Sequence, residues 1–146
     1  MKMNDKTEPA PTVEPTRDVT LRELDKQIGI RVMGLWVYHY DKGYTPYWML
    51  VTPDLTPVNF MYHENERTSE ALAWEEDMPY YSTDLNACFE AQAKCIEMVG
   101  IEYGDALAEI VGVHNCADKY DAFTVLATAT AEQRCRAMLK AIEGAK

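Results

Sequence analysis

Met78-Pro79-Tyr80-Tyr81-Ser82-Thr83-Asp84-Leu85-Asn86-Ala87-Cys88-Phe89 is the stretch on which the reading of this chain turns. A strand-like aromatic pair runs into a cluster of residues that cap helices, and an amphipathic pattern follows. A helix is expected to start at Ser82 or Thr83 and to reach about Val99, with Gly100 as a natural stop. Asp84 then falls in the first turn, where the helix dipole favours an anion. Leu85, Cys88, Phe89, Cys95 or Ile96, and Val99 line the expected buried face. On that reading, cutting Phe89 back to alanine costs on the order of 3–5 kcal/mol.

Two further helices follow from caps and periodicity. The first is expected over 21–33, with Thr20 and Glu23 as a capping box and Val19 and Leu24 as the hydrophobic staple. Leu21, Leu24, Ile28 and Val32 mark its apolar face, and Gly34 ends it. The last helix begins near Ala131 behind a second box, Thr130 and Gln133. Ala131, Cys135, Met138, Leu139 and Ile142 face inward there, whereas Arg134, Arg136 and Lys140 are expected to point outward. A weaker helix covers 105–111.

Between the first two helices the pattern changes. Segments 35–40 (LWVYHY) and 47–52 (YWMLVT) are rich in aromatic and β-branched residues. Asp41, Lys42, Gly43 and Tyr44 supply the turn of a hairpin. Segments 58–62, 71–74 and 122–127 are candidates for further strands. The order of elements predicts an α+β domain, a layered α/β/α sandwich with helices packed on a largely antiparallel sheet.

Composition bounds the function. The 146 residues suit one domain, 18–146, behind a flexible N-terminal tail, 1–17, rich in Pro, Thr and Glu. No apolar run approaches the ~18 residues of a membrane span, and the first residues carry no apolar secretory segment. Four cysteines in such a chain are expected to be reduced thiols in a cytosol. A net charge of −10 makes nucleic acid an improbable partner. The acid is concentrated in Glu64, Glu66, Glu70, Glu75, Glu76 and Asp77, with Arg67 the single base among them. Such a stretch is either a solvated surface or a patch that docks on a basic partner.

The first helix ending in Met33-Gly34, the aromatic strands, and Trp74 ahead of Pro79-Tyr80-Tyr81-Ser82-Thr83-Asp84 resemble the phage ABA-sandwich domain family. So does Ala127-Thr128-Ala129-Thr130-Ala131-Glu132-Gln133-Arg134-Cys135-Arg136-Ala137. The likeness covers about residues 18–143. It implies a small accessory protein of a bacteriophage or prophage, made in the infected cell, with a sheet between helices. It carries over no established activity. The N-terminal tail and the acidic segment 64–70 depart from the shorter family pattern.

The candidate chemistry is thin. Ser82-Thr83-Asp84 could be a nucleophile with an acid, or an anion cradle, but a plain cap explains all three residues. No G-x-S-x-G, Walker A or G-x-G-x-x-G sequence occurs. Cys88, Cys95, His114 and Cys116 could in principle meet at zinc, yet there is no C-x-x-C and the cysteines sit at apolar positions. His39 and His63 read as structural or surface residues. Glu75, Glu76 and Asp77 are adjacent, and in a strand neighbours point to opposite faces. The aromatics crowd the strand region, and those not needed for the core are the best hint of an interface.

The expected binding surface is therefore Tyr62, Glu64, Glu66, Trp74, Glu75, Glu76, Asp77, Tyr80, Tyr81, Ser82, Thr83 and Asp84, without catalytic residue, metal or cofactor. It would serve a non-enzymatic protein that binds a host protein in the bacterial cytoplasm and counters a defence. Self-association is expected as well. The alternative is a sponge that sequesters a small nucleotide signal.

Overall fold

The structure is a computed structural model that describes residues 17–43, 45–58, 67–113, 116 and 118–145. The tail expected over 1–17 lies outside these residues apart from Arg17, as do Tyr62, Glu64 and Glu66.

Helix α1 (Arg17–Arg31) starts earlier than expected, so Thr20 lies inside it and is not its cap. Glu23 accepts from Gln27 Nε2 at 3.0 Å, a bond along the helix. Its apolar face is the expected one, with Leu24, Ile28 and Val32 buried and Leu21 at the margin. Gly34, at φ +69°, reverses the chain. The amide of Leu35 then closes the end by donating to Gly29 O at 2.9 Å.

Strands β1 (Trp36–Tyr40) and β2 (Tyr47–Val51) form the expected antiparallel hairpin, in register from Trp36 opposite Val51 to Tyr40 opposite Tyr47. Cross-strand rings reinforce it: His39 stacks on Trp48 at 4.2 Å and Tyr40 on Tyr47 at 5.1 Å. Trp48 also exchanges two backbone hydrogen bonds with Arg67, both 2.8 Å, and Val58 donates to Leu50 O at 3.0 Å. Residues 59–62 of the expected third strand lie outside the described residues.

Two expected strands are helices. Residues 71–74 belong to α2 (Glu70–Asp77), where Ser69 accepts from the Leu72 amide at 3.2 Å. Ala, Leu and Glu around Trp74 favour helix once a cap is in place. The helical turn brings Ala73 and Asp77, four residues apart, onto one buried face. Residues 122–127 belong to α5 (Lys119–Ala127), started by Asp118, which accepts from the amides of Tyr120 and Asp121 at 2.9 and 3.0 Å. The preference of Thr124 and Val125 for strands yields to that cap, because strand propensity depends on having a sheet to join. Among the described residues the sheet has two strands, so the class is α+β with helices predominating.

The core lies among α1, α3 (Leu85–Val99), α4 (Ile101–Val111) and α6 (Ala131–Gly144). The most extensive helix contact is between α4 and α6, and α3 and α1 flank α6. Helix α3 differs from expectation in its start and its rotation. Asp84 is the N-cap, accepting from the Asn86 amide at 2.9 Å, and neither Ser82 nor Thr83 fills that place. Cys88 and Cys95 are buried as expected, and Ala91 is buried with them, small side chains that allow a close approach to Cys135 and Ala131 of α6. Leu85, Phe89 and Ile96 are turned outward, each 45% exposed. Truncation of Phe89 to alanine therefore costs about 1 kcal/mol, well short of the core value. The Thr130–Gln133 box of α6 is present in both directions, at 2.9 and 3.1 Å. Arg134, expected outside, is buried.

Candidate functional site

The expected surface gathers where α1, the end of α2 and the loop 78–84 meet. Asp25, 1% exposed, is its hub. One carboxylate oxygen accepts from the Ser82 amide at 2.6 Å, and the other accepts from Arg22 Nη1 at 2.9 Å. Arg22 Nη2 donates to Glu75 O at 2.9 Å and Met78 O at 3.2 Å, and Nη1 reaches Pro79 O at 3.5 Å. The last carbonyls of a helix lack intrahelical donors and carry its negative pole, so a guanidinium here closes α2. The same guanidinium lies 4.2 Å over the Tyr80 ring, a cation–π contact. Lys26 stands 5.4 Å from the ring of Trp74.

Arg67, the lone base of the acidic stretch, has a parallel task. Its Nε and Nη2 grip Asp77 at 3.0 and 2.6 Å, and its Nη1 pairs with Glu76 at 3.2 Å. Its backbone is bonded to Trp48, so this fork ties α2 to the hairpin. The loop itself is a tight turn in which Tyr80 O accepts from the amides of Thr83 and Asp84 at 3.1 and 2.7 Å.

The twelve expected site residues thus separate. Asp77, Tyr81 and Ser82 are buried and Trp74 is half-buried. Glu75, Glu76, Tyr80, Thr83 and Asp84 are exposed together, and Tyr62, Glu64 and Glu66 lie outside the described residues. Leu21, Arg22, Asp25, Tyr80, Ser82 and Thr83 line an open pocket of about 390 Å³. Asp25 was not among the expected site residues. The signal for Asp25 is its spacing, since Asp25, Ile28 and Val32 recur at three and four residues and all three are buried.

Most of these polar groups are engaged in structural hydrogen bonds. The Ser82 hydroxyl donates to Leu21 O at 3.4 Å, which engages its proton on a carbonyl and not on a base. Burial, then the charges of Glu90 and Asp25, push the Tyr81 phenol above its ordinary range, so it is neutral. Among the cysteines, Cys88 and Cys135 lie with their sulfurs 4.0 Å apart in the core. The hydrogen bond to Cys88 and then burial hold the Cys135 proton well above the usual thiol range. His114 lies outside the described residues. Among the described residues no three His, Cys, Asp or Glu are grouped to hold a metal ion, and no helix is long and apolar enough to cross a membrane.

Fold and site together define a small acidic α+β domain with an aromatic and acidic corner at residues 74–84. No protein-family model matches the chain, and no curated protein or solved structure matches it.

Proposed function

We propose that this is a non-enzymatic accessory protein of a bacteriophage or prophage that binds a host protein in the cytoplasm of the infected bacterium and blocks a defence function. The observation that carries the reading is Tyr80. Its ring is 55% exposed and Arg22 lies 4.2 Å over it, with Glu75, Glu76, Thr83 and Asp84 also exposed around the same corner. A large aromatic already held in place loses little freedom on binding, and tyrosine is favoured at interface hot spots. The acidic rim selects a basic surface and speeds its approach. The phage origin rests on the family resemblance of residues 18–143, and the packing of α2 on both strands of the hairpin supports a helix layer on one face of it.

Affinity capture of the full chain from infected cells, read by mass spectrometry, tests this. A host protein retained near stoichiometry by the wild type, released by salt and lost with Tyr80→Ala, is the expected result. Retention of the same proteins by Tyr80→Ala would remove the corner as the binding surface.

One observation favours a second reading, a sponge for a small nucleotide. The pocket of about 390 Å³ offers an aromatic ring, an arginine edge and two hydroxyl-bearing residues, Ser82 and Thr83. Cyclic dinucleotides would then raise the melting temperature of the wild type and not of Tyr80→Ala.

A further inference from the structure

The outer side of α3 carries Leu85, Phe89, Ala93 and Ile96 at steps of four, four and three residues, one straight stripe along a helix. Leu85, Phe89 and Ile96 are each 45% exposed, and Ala93 is exposed with them. A second stripe runs along α5, where Tyr120 and Phe123 are 75% and 73% exposed and Ala127 continues the helical spacing. No residue of α5 is fully buried. Arg134 joins the stripes. Its guanidinium carbon is 5.1 Å from the centre of the Phe89 ring, while its Nη2 donates to Leu126 O and Ala127 O, both at 3.2 Å. The end of α5 is thereby fastened near Phe89, and the exposed apolar surface consists of these two stripes. Neither stripe includes a charged residue; Glu90, Lys94 and Glu97 fall on the next face of α3.

We propose that this surface is the interface between two copies of the chain, related by a twofold axis that crosses α3 near Ala93. Two arguments select a second copy as the occupant. The α3 stripe is self-complementary when laid antiparallel on itself. Phe89 then meets Ile96 of the second copy, and the small Ala93 at the crossing allows close approach. The area also fits. Side chains of these sizes and exposures present roughly 700–900 Å², against the ~800 Å² that each partner gives to a stable interface. This interface is independent of the Tyr80 corner proposed to hold a host protein.

Sedimentation velocity on the full chain over a concentration series tests the proposal. A dimer is expected, tightened by added salt as like-charge repulsion is screened. Ile96→Glu on α3 and Phe123→Glu on α5 should each weaken it roughly tenfold or more, whereas Tyr80→Ala should leave the mass unchanged. Ala93→Cys, placed at the axis, should give a disulfide-linked dimer with oxidised glutathione under conditions where the wild type gives none. Should Ile96→Glu fail to fold by circular dichroism, Phe123→Glu and Ala93→Cys decide. A monomer over the whole series would overturn the proposal. So would a dimer that survives both glutamates, or one that Tyr80→Ala dissociates.

Discussion

Cys95 is fully buried on α3, and loss of hydration there pushes its thiol from 9.0 up to about 11. The consequence for stability follows from which state holds the proton. Between these two values the native chain keeps a proton that the unfolded chain has released, so rising pH favours unfolding. The contribution is complete below pH 9.0 and is lost as pH climbs through about 11. Two pH units correspond to on the order of 2–3 kcal/mol. The Tyr103 phenol, raised to about 12 chiefly by burial, extends the decline in the same direction. Urea midpoints measured from neutral to strongly alkaline pH should therefore fall steadily, and Cys95→Ala should make the fall shallower despite a lower starting stability. An equally steep fall in the variant would assign the loss to other groups.

Thr130 marks the scale at which the sequence was most legible. Its box with Gln133 is a contact between residues three apart, so it needs no knowledge of the rest of the fold, and it is present as read. Thr130→Ala should lower stability by about 1 kcal/mol in chemical denaturation, and Thr130→Ser should restore most of it. An unchanged midpoint in the alanine variant would mean that the first turn of α6 is held by packing alone. The hairpin was legible for a similar reason, with two aromatic runs and a turn that settle their own pairing. The elements misread are those whose signals were local and mixed. In α2 and α5 the caps Ser69 and Asp118 outweigh Trp74, Thr124 and Val125, and among the described residues neither segment joins the two-stranded sheet. The rotation of α3 departs from expectation at Leu85, Phe89 and Ile96, because size favours them for the core, whereas Ala91 packs beside Cys88 and Cys95 just because it is small. Of the candidate site, the exposed Tyr80 and its acidic neighbours stand in the written order of the chain. The Asp25–Arg22 hub joins residues more than fifty positions apart, and its one local signal is the spacing of Asp25 with Ile28 and Val32.

Over the whole molecule, two arginines provide from a distance what caps provide locally. Arg22 of α1 closes the end of α2, and Arg134 of α6 closes the end of α5 through Leu126 O and Ala127 O. The guanidinium of Arg134 also bonds Ala129 O at 3.1 Å and Gln92 Oε1 at 2.9 Å, and Gln92 accepts in turn from the Tyr103 hydroxyl at 2.5 Å. Arg134 thus links α3, α4, α5 and α6 through a single planar group. Short helices are marginal without packing, and α5, nine residues with none fully buried, depends on this clamp more than any other element. Arg134→Lys keeps the charge but supplies a point donor on a flexible stem in place of the fork. In native-state hydrogen exchange the α5 amides of that variant should lose protection by roughly tenfold or more, while the amides of the α4–α6 core change less. Arg136→Lys, whose partner is the half-buried Glu132 one turn away, should leave α5 unaffected. If α5 keeps its protection in Arg134→Lys, packing of Ala122, Val125 and Leu126 alone holds it in place. If it loosens, the apolar surface shared with α3 loosens with it, and self-association through that surface should weaken in the same variant while the Tyr80 corner, built on α1 and α2, is unchanged.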